Sequence, residues 1–187
     1  DRASFGRVVT TREPSEIERL VVRQVEHLAR LAAREGVTVA HVKPHGALYN
    51  LAAVERPVAD AIARAVANVL PGTRLVGLAG SKLLDAARDA GLVAVGEAFI
   101  DRGYLPDGTL APRDRPGALI EDVPAAAARA IALATRAPIA AVDGTVLHVA
   151  ADTLCLHGDT PGAADRARVV RAALLDAGVR IVAAAAR

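Results

Sequence analysis

Methionine and tryptophan are missing from this chain, and its 187 residues hold one cysteine, two tyrosines and two phenylalanines. A single Cys155 excludes an internal disulfide and fits a reducing, cytoplasmic setting. No secretory signal opens the sequence and no run of 18 apolar residues interrupts it, so neither export nor a membrane span is expected. Because there is no methionine, the first residue is not a translation start, and the sequence reads as a piece whose N-terminal part is missing. The net charge of +2, with basic residues spread along helices, argues against nucleic acid. The phosphate-binding pattern GxxxxGK[ST] is absent too. Lysine is nearly absent: Lys43 and Lys82 stand alone in a chain that otherwise uses arginine for positive charge.

What is present is Ala, Val, Leu, Arg and Asp in helix- and strand-like periods, 52% apolar and 24% charged, the balance of a globular protein. At this length one domain is expected, burying about 70% of its unfolded surface. Ser15 and Glu18 read as a capping box opening a helix that carries Ile17, Leu20, Val21, Val25, Leu28 and Leu31 and stops at Gly36. Strands are expected at 38–42, 74–79, 92–99, 145–150, 152–157 and 179–183. Helices are expected at 53–69, 81–90 and 123–136, and from Thr160-Pro161 to 177. A long polar excursion, 101–118, carries turn signals at Pro106-Asp107-Gly108 and Pro116-Gly117. Alternating strands and helices call for a parallel sheet covered by helices, doubly wound or closed as a βα barrel. The strands are too few for an eight-stranded barrel, which needs ~250 residues.

The scarce residue types gather where strands end, the rim on which parallel α/β folds build ligand sites. In KPHG (43–46), Pro44 holds Lys43 extended, so Lys43 and His45 project to one side; the alternative is a turn with a solvated lysine. In AGSK (79–82), Ser81 serves as a plain helix cap, or the Gly80 and Ser81 amides hold an anion beside Lys82. Glu97 and Asp101 share parity but stand ~13 Å apart in an extended segment, so they act together only if the chain bends. A structural Glu–Arg or Asp–Arg pair with Arg102 is the alternative. In HGDTP (157–161), Thr160 suffices as a cap, which frees Asp159 to pair with His157 for acid/base or metal chemistry. His27, in a helix, is given no function. His41 and His148, within strands, are expected to be packed, and Cys155 to be a small buried apolar residue. The four aromatics, Phe5, Tyr49, Phe99 and Tyr104, all fall outside helix interiors.

VKPHGALYN (42–50), EAF-DR-Y-PDG-L (97–110, with gaps) and DTLCLHGDTPGA (152–163) together resemble the LamB/YcsF family, the A component of 5-oxoprolinase. The likeness runs nearly the length of the chain, and FGR (5–7) resembles the tail of a further motif. It implies an incomplete seven-stranded βα barrel, TIM-like and related to the glycoside hydrolase/deacetylase type. It also implies an ATP-dependent reaction: 5-oxo-L-proline, ATP and water give L-glutamate, ADP and phosphate. Partner subunits B and C are implied, as is ATP with Mg2+ held mainly by a partner. Two departures stand out: Ile100 replaces a small residue, and N-terminal motifs bearing acidic and histidine residues are absent.

On that reading His45, His157 and Asp159 are the acid/base candidates, with Glu97 and Asp101 for water activation. Lys43, Tyr49, Asn50, Gly80, Ser81 and Arg102 are the substrate-binding candidates. The rivals are a metal-dependent amide hydrolase or deacylase using His45, His157 and Asp159, and a non-catalytic docking subunit. Exposed sheet edges would favour pairing with a second copy.

Overall fold

The computed structural model describes residues 3–4, 6–9, 12–159 and 161–183; Phe5 and Thr160, both singled out above, lie outside them. The chain divides into two compact units, residues 1–96 and 97–187.

The first unit holds helices α1 (Pro14–Arg34), α2 (Gly46–Val54), α3 (Arg56–Val69) and α4 (Lys82–Asp89). Its strands are β1 (His41–Val42), β2 (Arg74–Leu78) and the first part of β3 (Val93–Phe99), in the order β1-β2-β3. β1 and β2 run parallel, with His41 opposite Arg74 and Val42 opposite Leu75. α1 buries Ile17, Val21 and Val25, one residue per turn, against Val58, Ile62 and Val66 of α3. Leu28 and Leu31 continue the stripe in sequence but are exposed.

The expected capping box does not form. Pro14, whose fixed φ suits a first helical turn, starts α1 after Glu13, so Ser15 is already inside the helix. Glu18 instead accepts from the Arg64 guanidinium of α3 at 2.9 and 3.1 Å.

α2 is the larger departure. The KPHG turn enters a helix at once, so Tyr49 and Asn50 are helical rather than in a loop. Gly46 takes φ +62°, and a Cβ there would sit 2.3 Å from the Gly6 carbonyl oxygen. That same carbonyl accepts the Ala47 N–H at 2.8 Å, supplying a partner to the first turn of α2. His41, expected to be packed, is exposed on an edge strand only two residues long.

In the second unit the last three residues of β3 pair in parallel with β6 (Thr153–Cys155): Glu97 with Thr153, Ala98 with Leu154, Phe99 with Cys155. Helices α5 (Val123–Ala134) and α6 (Ala163–Asp176) pack together, burying Leu133, Val170 and Leu174. Asp122 caps α5 by accepting the Ala125 N–H at 2.8 Å. β4 (Ile139–Ala140) forms a short antiparallel hairpin with β5 (Val146–Leu147), which lies within the strand expected over 145–150; His148, expected within that strand, lies exposed beyond it.

α6 begins later than expected, at Ala163 after Gly162 with φ +76°, so Pro161 precedes the helix. The run at 179–183, expected as a strand, is not one: Ile181 and Val182 are half exposed, and among the described residues the β-branched run has no ladder neighbour.

Candidate functional site

The chemistry of the second unit starts where β3 ends. Glu97 is buried at 5% exposure, and Phe99 is the last strand residue. One step on, the Ile100 N–H donates to the Cys155 carbonyl at 3.1 Å, carrying the partnership with β6 past the end of both strands. Two residues beyond Phe99 stands Asp101; two beyond its partner Cys155 stands His157.

These two meet. His157 Nδ1 lies 3.0 and 2.9 Å from the two Asp101 carboxylate oxygens, and the His157 main-chain N–H donates to Asp101 Oδ2 at 2.9 Å. The Asp101 side chain is 6% exposed and the imidazole 21%. Burial alone would raise the Asp101 carboxyl, but the hydrogen bonds from the His157 ring and amide outweigh it and hold the group below its ordinary 3.8. An ionised carboxylate only accepts, so Nδ1 carries the hydrogen and Nε2 of the neutral ring presents its lone pair. The Phe99 ring stacks on the imidazole, centroids 5.5 Å apart at 30°. The arrangement is a buried carboxylate orienting a partly exposed histidine, which suits the histidine to accept a proton.

The 101–118 excursion is anchored to itself. Arg102 is 5% exposed and donates Nε to the Ala118 carbonyl at 3.2 Å and a terminal nitrogen to Ala111 O at 2.6 Å. Burial first, then the charge of Arg113, lower its pKa. Expected to bind a carboxylate, Arg102 instead clamps the loop through two carbonyls. A Cβ on Gly103 would sit 2.3 Å from the Gly117 carbonyl oxygen, so the loop closes only with glycine there. Asp107 accepts both the amide (2.9 Å) and the hydroxyl (2.6 Å) of Thr109, forming the expected Pro-Asp-Gly turn.

In the first unit Lys43 is half-buried, its Nζ 5.6 Å from the centre of the buried Tyr49 ring, a cation–π contact across the strand-to-helix turn. His45 is exposed at the N-cap position of α2 without capping it by its side chain, and Asn50 is exposed. Lys43, Pro44 and His45 line one end of a cavity of about 600 Å³, whose apolar wall includes Ile17, Val21 and Leu48. Gly80, with φ +78°, precedes α4. Ser81 occupies the N-cap position but makes no side-chain cap bond. Its Oγ is the one buried side-chain polar atom without a partner among the described residues.

Sequence reasoning named both Asp101 and His157 but set His157 beside Asp159. The residue that holds it is Asp101, and Asp159 is exposed. Phe99 and Tyr104 stand in the EAF-DR-Y-PDG-L motif and among the scarce aromatics, but neither is given a role at the site by sequence reasoning. The signal that would have found them is register: aligning EAFID with TLCLH places Phe99 on Cys155 and so Asp101 on His157. Cys155 is half-buried in β6. Among the described residues no group of three or more His, Cys, Asp or Glu is placed to hold a metal ion.

The model of the LamB/YcsF family matches residues 1–187. The chain belongs to the LamB/YcsF family. Its LamB/YcsF relatives include the A component of 5-oxoprolinase from Heliobacterium modesticaldum, 47% identical over 97% of this chain and 71% of the relative. The protein of the same name from Chloroflexus aggregans is 48% identical over 97% of this chain and 72% of its own length. A lactam utilization protein from Thermus thermophilus, solved by crystallography, superposes with a TM-score of 0.88 at 44% identity, covering 97% of this chain and 72% of that one. This LamB/YcsF chain is thus an α/β protein with a parallel sheet and helices. Among its described residues no helix is long and apolar enough to cross a membrane.

Proposed function

We propose that this chain is the A component of an ATP-dependent 5-oxoprolinase, opening the lactam of 5-oxo-L-proline to give L-glutamate. The names of its relatives support the assignment to a 5-oxoprolinase. The observation that carries a catalytic role is the Asp101–His157 pair, with both carboxylate oxygens on Nδ1. Partner subunits B and C and an incomplete seven-stranded βα barrel belong to the same proposal.

A five-membered lactam keeps full amide resonance and little ring strain, so water attacks it slowly unless its carbonyl oxygen is phosphorylated, which breaks the resonance and makes the carbon electrophilic. ATP with Mg2+ supplies that activation. The pattern GxxxxGK[ST] is absent from the sequence, and on this reading ATP is held mainly by a partner subunit.

What this chain contributes is proton handling. His157 Nε2 takes a proton from the attacking water and returns it to the departing ring nitrogen, while Asp101 stabilises the imidazolium between the two transfers; the acyl phosphate left by ring opening is hydrolysed by a second water to glutamate and phosphate. Glu97, buried on β3, and Asp159, exposed beyond His157, are further candidates for water activation. Anion binding is a separate assignment to the first unit. Lys43, with Tyr49, Asn50 and His45 around its turn, is one candidate, and the Gly80–Ser81 amides at the start of α4 are another.

The test is 5-oxoproline turnover by the assembled subunits. His157→Gln is expected to lower kcat by about 100-fold or more. Asp101→Asn should follow in the same direction, because an amide leaves the imidazole in the wrong tautomer. Wild-type turnover from both variants would leave the docking role as the better reading. Lys43→Ala should raise KM if the lysine binds the substrate carboxylate.

A further inference from the structure

Tyr104 has no exposed surface, yet it carries a hydroxyl. A buried phenol needs a partner, and its oxygen accepts the main-chain N–H of Phe99 at 2.7 Å. Along a strand, successive amides face opposite edges. The Ile100 N–H goes to Cys155 beside β6, and the Phe99 N–H turns the other way, where the Tyr104 hydroxyl meets it.

The ring is itself held. The Arg129 guanidinium lies 5.9 Å from its centre, and the Val142 N–H donates to the Tyr104 carbonyl at 2.9 Å. Burial pushes the phenol up to about 12, so the hydroxyl keeps its proton at any ordinary pH.

From Phe99 the chain leads to the histidine by two routes. The Phe99 ring stacks on the imidazole, and two residues later Asp101 grips Nδ1. We propose that Tyr104 is the positioning residue of the Asp101–His157 pair, fixing the Phe99 main chain and, through it, the stacking face and the carboxylate that hold the imidazole in one tautomer. It touches neither the imidazole nor a reacting atom. The inference rests on the proton-transfer role proposed for His157, but its test does not.

A tyrosine that only filled the core would also cost stability when changed, so stability is not the readout. The readout is the 15N signature of the His157 ring in the full-length chain. The sequence has five histidines, and a His157→Gln sample assigns the relevant signals. In the wild-type chain His157 is expected to show one tautomer, with hydrogen on Nδ1.

Tyr104→Phe should draw the Nδ1 and Nε2 resonances toward each other as the tautomers mix. Leu133→Ala, which opens the buried face of α5 without touching the Phe99–Tyr104 bond, should leave them in place. Should Tyr104→Phe not fold, Phe99→Leu keeps the amide bond, removes the stacked ring and should give the same convergence. Unchanged His157 resonances in whichever variant folds overturn the proposal, as does an equal change in Leu133→Ala. Because no substrate is present, a failure of the 5-oxoprolinase reading would appear as absent turnover and leave this outcome untouched.

Discussion

At the scale of single residues, the most informative group is a carboxyl that stays charged in a buried place. Asp101 is held below 3.8 in the fold, against the burial that would raise it, by bonds from His157. A carboxyl depressed on folding contributes stability that is fully present above its unfolded value. That stability is lost as pH falls through the lower, folded one. Acid unfolding followed by circular dichroism should therefore show a stability loss below about pH 4 that Asp101→Asn removes, the variant being less stable at neutral pH and flatter in acid. A pH profile unchanged by Asp101→Asn would contradict the assignment. Ser81 presents the opposite case. Its hydroxyl is buried and unpartnered, so Ser81→Ala should be neutral or stabilising by about 1 kcal/mol in urea denaturation. A clear loss of stability would mean that the oxygen has a partner. The sequence placed Asp101 and His157 just past strand ends. What it did not contain was the pairing: Asp101 and His157 are 56 residues apart, and only strand register joins them, whereas Asp159 looked the nearer partner because it is close in sequence.

At the scale of elements, the sequence announced most helices and central strands through their apolar periods, and failed where the deciding contact is distant. α2 is the instructive case. Its first residues, Gly46-Ala47, look like the end of a turn, and the carbonyl that accepts the Ala47 N–H belongs to Gly6, 41 positions earlier in the numbering. The run at 179–183 fails for the reverse reason, having strand-forming residues and no ladder neighbour among the described residues. The capping box failed because Glu18 found Arg64 on α3 instead. The closeness of Gly6 to Gly46 makes a sharp expectation. In Gly46→Ala the new methyl group would lie 2.3 Å from the Gly6 oxygen, at a φ of +62° that costs an L-residue about 1–2 kcal/mol by itself. Loss of at least about 2 kcal/mol is expected in chemical denaturation. A variant as stable as the wild type would show that the Gly6 segment does not close on the turn. Gly103→Ala should behave alike in the second unit, where the obstacle is the Gly117 carbonyl.

At the scale of the molecule, the parallel sheet with helices was legible from the alternation of periods alone. The division into two compact units has no mark in the sequence, because β3 runs without a break through the boundary at Gly96–Glu97. The motifs, by contrast, carried the family clearly, since each lies where a strand ends and a chemical side chain follows. On the proposed reading the chain orients a water, while a partner subunit with Mg-ATP activates the amide. The isolated chain should therefore leave 5-oxoproline intact with or without ATP, and turnover should appear only when partner subunits and Mg-ATP are added together. Stripping transition metals with a chelator and restoring Mg2+ afterwards should not reduce that turnover. Hydrolysis of the lactam by the chain alone, without ATP and abolished by the chelator, would instead favour a metal-dependent amidase. The two mechanisms differ in what makes the carbonyl carbon electrophilic, a phosphorylated oxygen in one and a coordinated oxygen in the other, so this experiment separates them at the step that matters.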